Sequence, residues 1–121
     1  FEIVPSVIGQ IKAKALIPLA VTGDTRFSGL PDIPTLAESG LQGYEATSWN
    51  GLSLPRDTPD AVVDALAKDI ALVVASPDVK KKLLDLGAEA HSSTPAEMTA
   101  RVRADQLKWK AVIDKAGIPR Q

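Results

Sequence analysis

His91 is the single histidine of the 121-residue sequence, and Ser92 and Ser93 follow it. An imidazole beside a hydroxyl is the pair from which general-base or nucleophilic chemistry is built, provided the hydroxyl is oriented against the ring. Here Ser92-Ser93 runs into Thr94-Pro95, a helix-start pattern. The serines therefore read as the turn before a helix and His91 as an exposed histidine at a strand end. A zinc site would have to gather carboxylates around one imidazole, because the sequence has no cysteine. The phosphate-cradling patterns G-x-G-x-x-G and G-x-x-x-x-G-K-[ST] and the nucleophile elbow G-x-S-x-G are missing. No catalytic residue, metal or cofactor is expected, and the chain does not read as an enzyme.

Three further groups carry charge or ring chemistry. Lys80-Lys81-Lys82 could form a small anion patch, but successive helical positions splay around the axis, so a solvated face accounts for them. Asp105 falls, at 100° per residue, inside an apolar helical stripe. A carboxylate there is expected to bond to neighbouring backbone or pair with a basic group, since burial without a partner is costly. Trp49, in Ser48-Trp49-Asn50-Gly51, either lines a cleft or fills a core, and its N–H needs an acceptor in both cases.

Charge and composition limit the partners. Fourteen Lys and Arg stand against 15 Asp and Glu, and they are spread along the chain. No basic face results, so nucleic acid is not an expected partner. Aromatic residues are 4% of the chain, too few for stacking platforms, and a core must come mainly from Ala, Val, Ile and Leu. No apolar run approaches the ~20 residues that cross a bilayer. The 45% hydrophobic content suits an ordinary globular domain or a large piece of one.

The elements that position these residues follow from punctuation. Pro5 can open a short helix with Val7, Ile8 and Ile11 on one face, and Leu16–Val21 reads as a short strand in which Pro18 favours an edge or strand end. From Thr22 to Tyr44 the texture turns to Gly, Pro, Asp and Ser, and Thr35-Leu36-Ala37-Glu38 has the capping-box form, closed by Gly40. This stretch is the expected crossover between structural units. Ala46–Leu54 suits a strand. Thr58-Pro59, Ser76-Pro77 and Thr94-Pro95-Ala96-Glu97 then start three helices. Their apolar faces are Val62, Val63, Leu66, Ile70, Val73 and Val74; Val79, Leu83 and Leu86; and Met98, Val102, Trp109, Val112, Ile113 and Ala116. Gly87 and Gly117 stop the second and third, and Ala88–Ser92 between those two can form a short strand. The class is α/β, with too few strands for a complete sheet, so the helix stripes need a partner layer only partly encoded here.

The chain opens on Phe1-Glu2-Ile3-Val4 with no Met, no basic n-region and no long apolar h-region, and so reads as entered partway through. Its residues explain that opening. Leu19-Ala20-Val21-Thr22, Arg26, Leu30-Pro31-Asp32-Ile33-Pro34-Thr35, Ala37-Glu38-Ser39-Gly40, Gly43-Tyr44-Glu45, Trp49-Asn50-Gly51, Thr58-Pro59, Gly87-Ala88, Thr94-Pro95-Ala96-Glu97 and Lys108-Trp109 stand in the order of the Bug or TctC-type extracytoplasmic solute receptors. The chain resembles the C-terminal portion of these substrate-binding components of tripartite tricarboxylate transporters over essentially its whole length.

The resemblance implies a C-terminal fragment of a two-lobed, type II periplasmic-binding-protein-like fold. Residues 1–22 would end the second lobe, 23–45 would contain the crossover or hinge segment, and 46–121 would form the C-terminal part of the first lobe. It also implies a periplasmic location, a small carboxylated solute bound in the interdomain cleft, and membrane components of a tripartite transporter as partners. Phe1, Glu2 and Thr22 are the ligand-binding candidates it suggests, each with hinge geometry or core packing as the alternative. The family often has Phe-Asp-Asn where this chain has Phe1-Glu2-Ile3, and Ser where Gly23 follows Thr22. An acid at Glu2 would suit an amino group or a protonated carboxyl. The rival expectation is a structural or interaction fragment that binds no solute and self-associates or swaps elements between copies.

Overall fold

A computed structural model describes residues 1–119 and contains four helices: α1 (Val4–Lys12), α2 (Asp60–Ala75), α3 (Pro77–Asp85) and α4 (Pro95–Ala116). Each begins at or within two residues of a proline, whose fixed φ suits a first turn that needs no N–H. The caps differ in a way that the Ser/Thr-Pro signature does not reveal. Thr94 makes a full capping box, its hydroxyl accepting from the Glu97 N–H while the Glu97 carboxylate accepts from the Thr94 N–H. Ser76 makes no side-chain cap; its hydroxyl donates to the Val73 carbonyl instead. The Thr58 hydroxyl likewise donates backwards, to the Pro55 carbonyl. Glu97 stands three residues after Thr94, where Val79 stands three after Ser76 and Ala61 three after Thr58. Without that carboxylate the hydroxyl turns to the preceding carbonyl.

Chain reversal is handled by one device used four times. After α1, after the turn at residues 35–39, after α3 and after α4, paired 6→1 and 5→2 backbone bonds close the end: Ala15 N–H to Gln10 O, Leu41 to Leu36, Ala88 to Leu83 and Ile118 to Ile113, each with its inner partner. The residue that must turn left-handed is glycine in three of these. In the first it is Lys14, at φ 58°, a conformation that costs a side chain roughly 1–2 kcal/mol.

No named strand forms among the described residues, which corrects the expectations at Leu16–Val21, Ala46–Leu54 and Ala88–Ser92. The sheet-type pairing among the described residues is one isolated parallel bridge, Val21 to Thr35. A strand exists only by pairing, and beyond that bridge these segments form no ladder among the described residues. Ile17 and Leu19 are consequently more than four-fifths exposed, each forgoing the ~1.5–3 kcal/mol that burial of such a side chain returns.

Two compact units divide the chain. The first comprises Phe1–Asn50 and Leu72–His91; the second takes Gly51–Ala71 and the chain from Ser92 onward. In the first, Ile8 of α1 and Thr35 are buried, and Gly87, at φ 87°, is approached so closely that an added Cβ would lie 3.0 Å from the Pro5 nitrogen and 3.1 Å from the Val4 carbonyl carbon. The start of α1 thus seats against the end of α3. In the second, α4 turns Met98, Val102, Asp105 and Ile113 inward to half-burial. Asp105 meets Arg101 at 3.3 Å on the same helix, the basic pairing expected for a carboxylate within the stripe. Each unit carries one tryptophan, Trp49 in the first and Trp109 in the second.

Candidate functional site

Side-chain hydrogen bonds cluster within residues 24–42, inside the expected crossover. Thr35 opens a single turn with a capping box of its own: the Thr35 N–H donates to Glu38 Oε2 at 2.7 Å, and the Glu38 N–H donates to Thr35 Oγ1 at 3.1 Å. The Ser39 hydroxyl donates to the Thr35 carbonyl at 2.9 Å. The Glu38 carboxylate also receives Arg26, whose Nε lies 2.9 and 3.1 Å from its two oxygens. Arg26 reaches further with a terminal nitrogen to the Pro31 carbonyl at 3.1 Å. One planar guanidinium therefore ties the turn at 35–39 to the Leu30-Pro31 bend.

Two backbone bonds fasten this turn to the segment before it. Val21 N–H donates to the Pro34 carbonyl at 2.8 Å and Leu36 N–H to the Val21 carbonyl at 2.9 Å, while Ala46 N–H reaches the Thr22 carbonyl at 2.9 Å. Val21 and Thr22 are thereby held between the start and the end of the crossover. A cavity of about 440 Å³ opens here, lined by Asp24, Thr25, Arg26, Thr35, Ala37, Glu38 and Gln42. Two of its charged side chains, Arg26 and Glu38, pair with each other. The Arg26 hydrogen bond, then the Thr35 N–H, hold the Glu38 carboxyl below its usual range, and Glu38 raises Arg26 in return. The guanidinium's charge is paired internally with a carboxylate, and these bonds engage Nε and one terminal nitrogen. The geometry suits a brace.

A second tether joins the crossover to the segment after α3. Glu89 Oε1 accepts from both the Ser28 N–H at 3.0 Å and the Ser28 hydroxyl at 2.5 Å, and these bonds lower its pKa. His91 Nε2 lies 3.5 Å from the other Glu89 oxygen. A carboxylate thus stands between hydroxyl and imidazole. In a nucleophile–base pair the imidazole would take the hydroxyl proton itself, so this trio is not arranged for nucleophilic catalysis. His91 is exposed, as expected from sequence.

The three ligand-binding candidates occupy different surroundings. Phe1 is fully exposed. The Glu2 carboxylate turns back on the chain and accepts from the Ile3 N–H at 3.0 Å. Thr22 is half-buried with its carbonyl fixed by Ala46. No hydrogen bond or ion pair joins these three to one another among the described residues. Lys81 pairs with Asp85 at 2.6 Å, consistent with a solvated lysine face. No group of three or more His, Asp or Glu side chains suitable for a metal occurs among the described residues, and no helix among them is long and apolar enough to cross a membrane.

Sequence reasoning quoted Arg26 and Glu38 as parts of a motif and did not pair them. A contact across a proline-rich bend follows no periodicity, so only the capping box flagged Glu38. Ser28 and Glu89, 61 residues apart, gave no sequence signal at all.

Comparison with known proteins gives a consistent result. The model of the tripartite tricarboxylate transporter family receptor matches residues 2–118. The chain is similar to the UPF0065 protein in the tcbD-tcbE intergenic region of Pseudomonas sp. (strain P51), with 34% identity over 105 residues, covering 86% of this chain and 31% of that protein. It is similar to Protein BugT of Bordetella pertussis, with 25% identity over 116 residues, covering 96% and 36%. Among solved structures, R. palustris Rpa4515 with adipate shares 35% identity at a TM-score of 0.84, covering 94% of this chain and 38% of that one. The periplasmic binding protein BugD shares 34% identity at a TM-score of 0.81, covering 95% and 39%. The chain spans roughly a third of the length of these curated relatives.

Proposed function

The chain belongs to the tripartite tricarboxylate transporter receptor family, and from that premise we propose that it forms part of a periplasmic receptor that binds a small carboxylated solute between two lobes and presents it to the membrane components of a tripartite transporter. The observation that carries this reading is the likeness, at 35% identity over 94% of the chain, to a structure holding adipate. The family is one of solute-binding receptors, and the role is binding without chemical conversion.

In this reading residues 1–22 close the second lobe, 23–45 return the chain through the hinge, and 46–121 complete the first lobe. Phe1, Glu2 and Thr22 face the cleft. The carboxylates are held mainly by backbone N–H groups and hydroxyls, which stabilise an anion without a paired cation. That fits a crossover whose one arginine is paired with an internal carboxylate. Solute favours the closed lobes because it contacts both only there. The test is isothermal titration of the receptor carrying this chain with C4–C7 dicarboxylates, adipate included, citrate and amino acids. Binding of a dicarboxylate supports the reading; no heat and no thermal shift with any of them rejects it.

A second reading has its own support. The exposed Ile17 and Leu19, in a segment without ladder partners, suit self-association or element exchange between copies of this chain. Light scattering of the 121-residue chain decides it: a dimer or larger species is expected, and a monodisperse monomer removes the motive.

A further inference from the structure

The crossover contains a brace whose bonding leads step by step to a candidate ligand residue. Arg26 grips both oxygens of Glu38 and the Pro31 carbonyl. Glu38 grips the N–H of Thr35, and Thr35 is 3% exposed, the one buried polar residue among those described. The peptides on either side of Thr35 make the two bonds to Val21, through Pro34 O and Leu36 N–H. Thr22 follows Val21 directly, its own carbonyl taken by Ala46. Removing the carboxylate would free a buried N–H, release the guanidinium and leave the Val21 bridge supported by two backbone bonds alone.

We propose that Arg26 and Glu38 are positioning residues for solute binding, acting through Thr35 and the Val21 bridge to hold Thr22 at its place beside the crossover. This inference rests on the receptor reading above and adds to it a specific pair that touches no solute. The pair works by preorganisation: a residue already fixed before binding spares the ligand the cost of ordering it. The arginine fork matters as well as its charge, because Nε serves the carboxylate while a terminal nitrogen serves Pro31; a lysine cannot reach both.

The test compares the wild-type receptor carrying this chain with Glu38→Gln, Arg26→Lys, Thr22→Val and the Glu38→Gln/Thr22→Val double variant. Adipate affinity is measured by calorimetry, amide exchange at Val21 and Leu36 by mass spectrometry, and folding by thermal melting. For Glu38→Gln the expected result is a cooperative melt, exchange at both amides about tenfold faster, and adipate bound about five- to tenfold more weakly. Arg26→Lys moves both readouts the same way by a smaller factor. In the Thr22→Val background Glu38→Gln should cost no further affinity, because the residue it positions is already gone; a purely structural role would weaken both backgrounds alike. Unchanged adipate affinity in Glu38→Gln, or equal losses in both backgrounds, overturns the inference while the receptor reading stands. Should Glu38→Gln fail to fold, Arg26→Lys with its own Thr22→Val double carries the same comparison. A wild-type receptor that binds neither adipate nor another dicarboxylate sinks the receptor reading, and the positioning role with it.

Discussion

The crossover and the long helix α4 hold their shapes by opposite means. The crossover has no regular secondary structure, yet nearly every turn in it is closed by a named side chain: Arg26 on Glu38 and Pro31, Glu38 on Thr35, Glu89 on Ser28. Helix α4 is 22 residues of regular backbone whose side chains bond mostly along the helix, Arg101 to Asp105 and Lys110 to Asp114. One region is ordered by contacts between residues 3 to 61 positions apart, the other by contacts three or four apart. A region braced by its own side chains can keep its form with few neighbours. A helix with a half-buried stripe depends on the layer that covers it.

That contrast can be broken at several points. The largest effect is expected at Gly87, where φ is positive and a Cβ would press on the backbone of Val4 and Pro5. Gly87→Val should lower the unfolding free energy by at least about 1–3 kcal/mol from the strained backbone alone, read from the urea midpoint and slope; a loss under about 0.5 kcal/mol would mean that α1 slides away freely. Next comes the cap of α4. Thr94→Ala should cost about 0.5–2 kcal/mol, whereas Ser76→Ala, whose hydroxyl makes no N-cap bond to α3, should fall well below that; equal losses would contradict the role given to the Glu97 carboxylate. Lys14→Gly should stabilise the chain by about 0.5–1 kcal/mol, the relief of a left-handed lysine exceeding the extra freedom of the unfolded glycine.

Acid separates the two regions less sharply. Arg26 and the Thr35 N–H depress Glu38, and Thr94 depresses Glu97. A carboxyl that is more acidic folded than unfolded binds fewer protons in the native state. Its stabilisation is complete above the unfolded value, 4.5 for both, and disappears as pH falls through the lower folded value. Amide protection, taken relative to the unfolded chain at each pH, should therefore fall together around Thr35 and at the start of α4 below about pH 4.5 and hold level near neutral pH. The smallest effect is reserved for Lys81→Ala: its partner Asp85 is exposed and the pair follows the helix surface, so the denaturation midpoint should not move measurably.

How much of this could be read beforehand depended on the range of the contact. The four helices were legible because the Pro at each start, Thr94 and Glu97 at α4, and Gly87 and Gly117 at the ends of α3 and α4 act within four residues. The turn at Thr35-Glu38 was legible for the same reason. Thr58 and Ser76 misled as caps, since a hydroxyl before proline says nothing about which way it bonds until the third helical residue is considered. The strands at 16–21, 46–54 and 88–92 have suitable residues and no partners among those described, and β-propensity without pairing yields only extended chain. At the candidate site the sequence pointed to Thr22 and to the crossover, but the brace joins residues 12 and 61 apart, distances at which spacing carries no information.

The placement of the two tryptophans has a practical consequence. Trp49 belongs to the unit that contains the crossover, and Trp109, with the Lys108 ammonium 5.3 Å from its ring centre, belongs to the unit built on α4. The chain therefore has one intrinsic optical probe on each side of its division. Trp49→Phe and Trp109→Phe each leave a single emitter, so the melting of the braced region and of the helical region can be followed separately by colour, without adding a label to either.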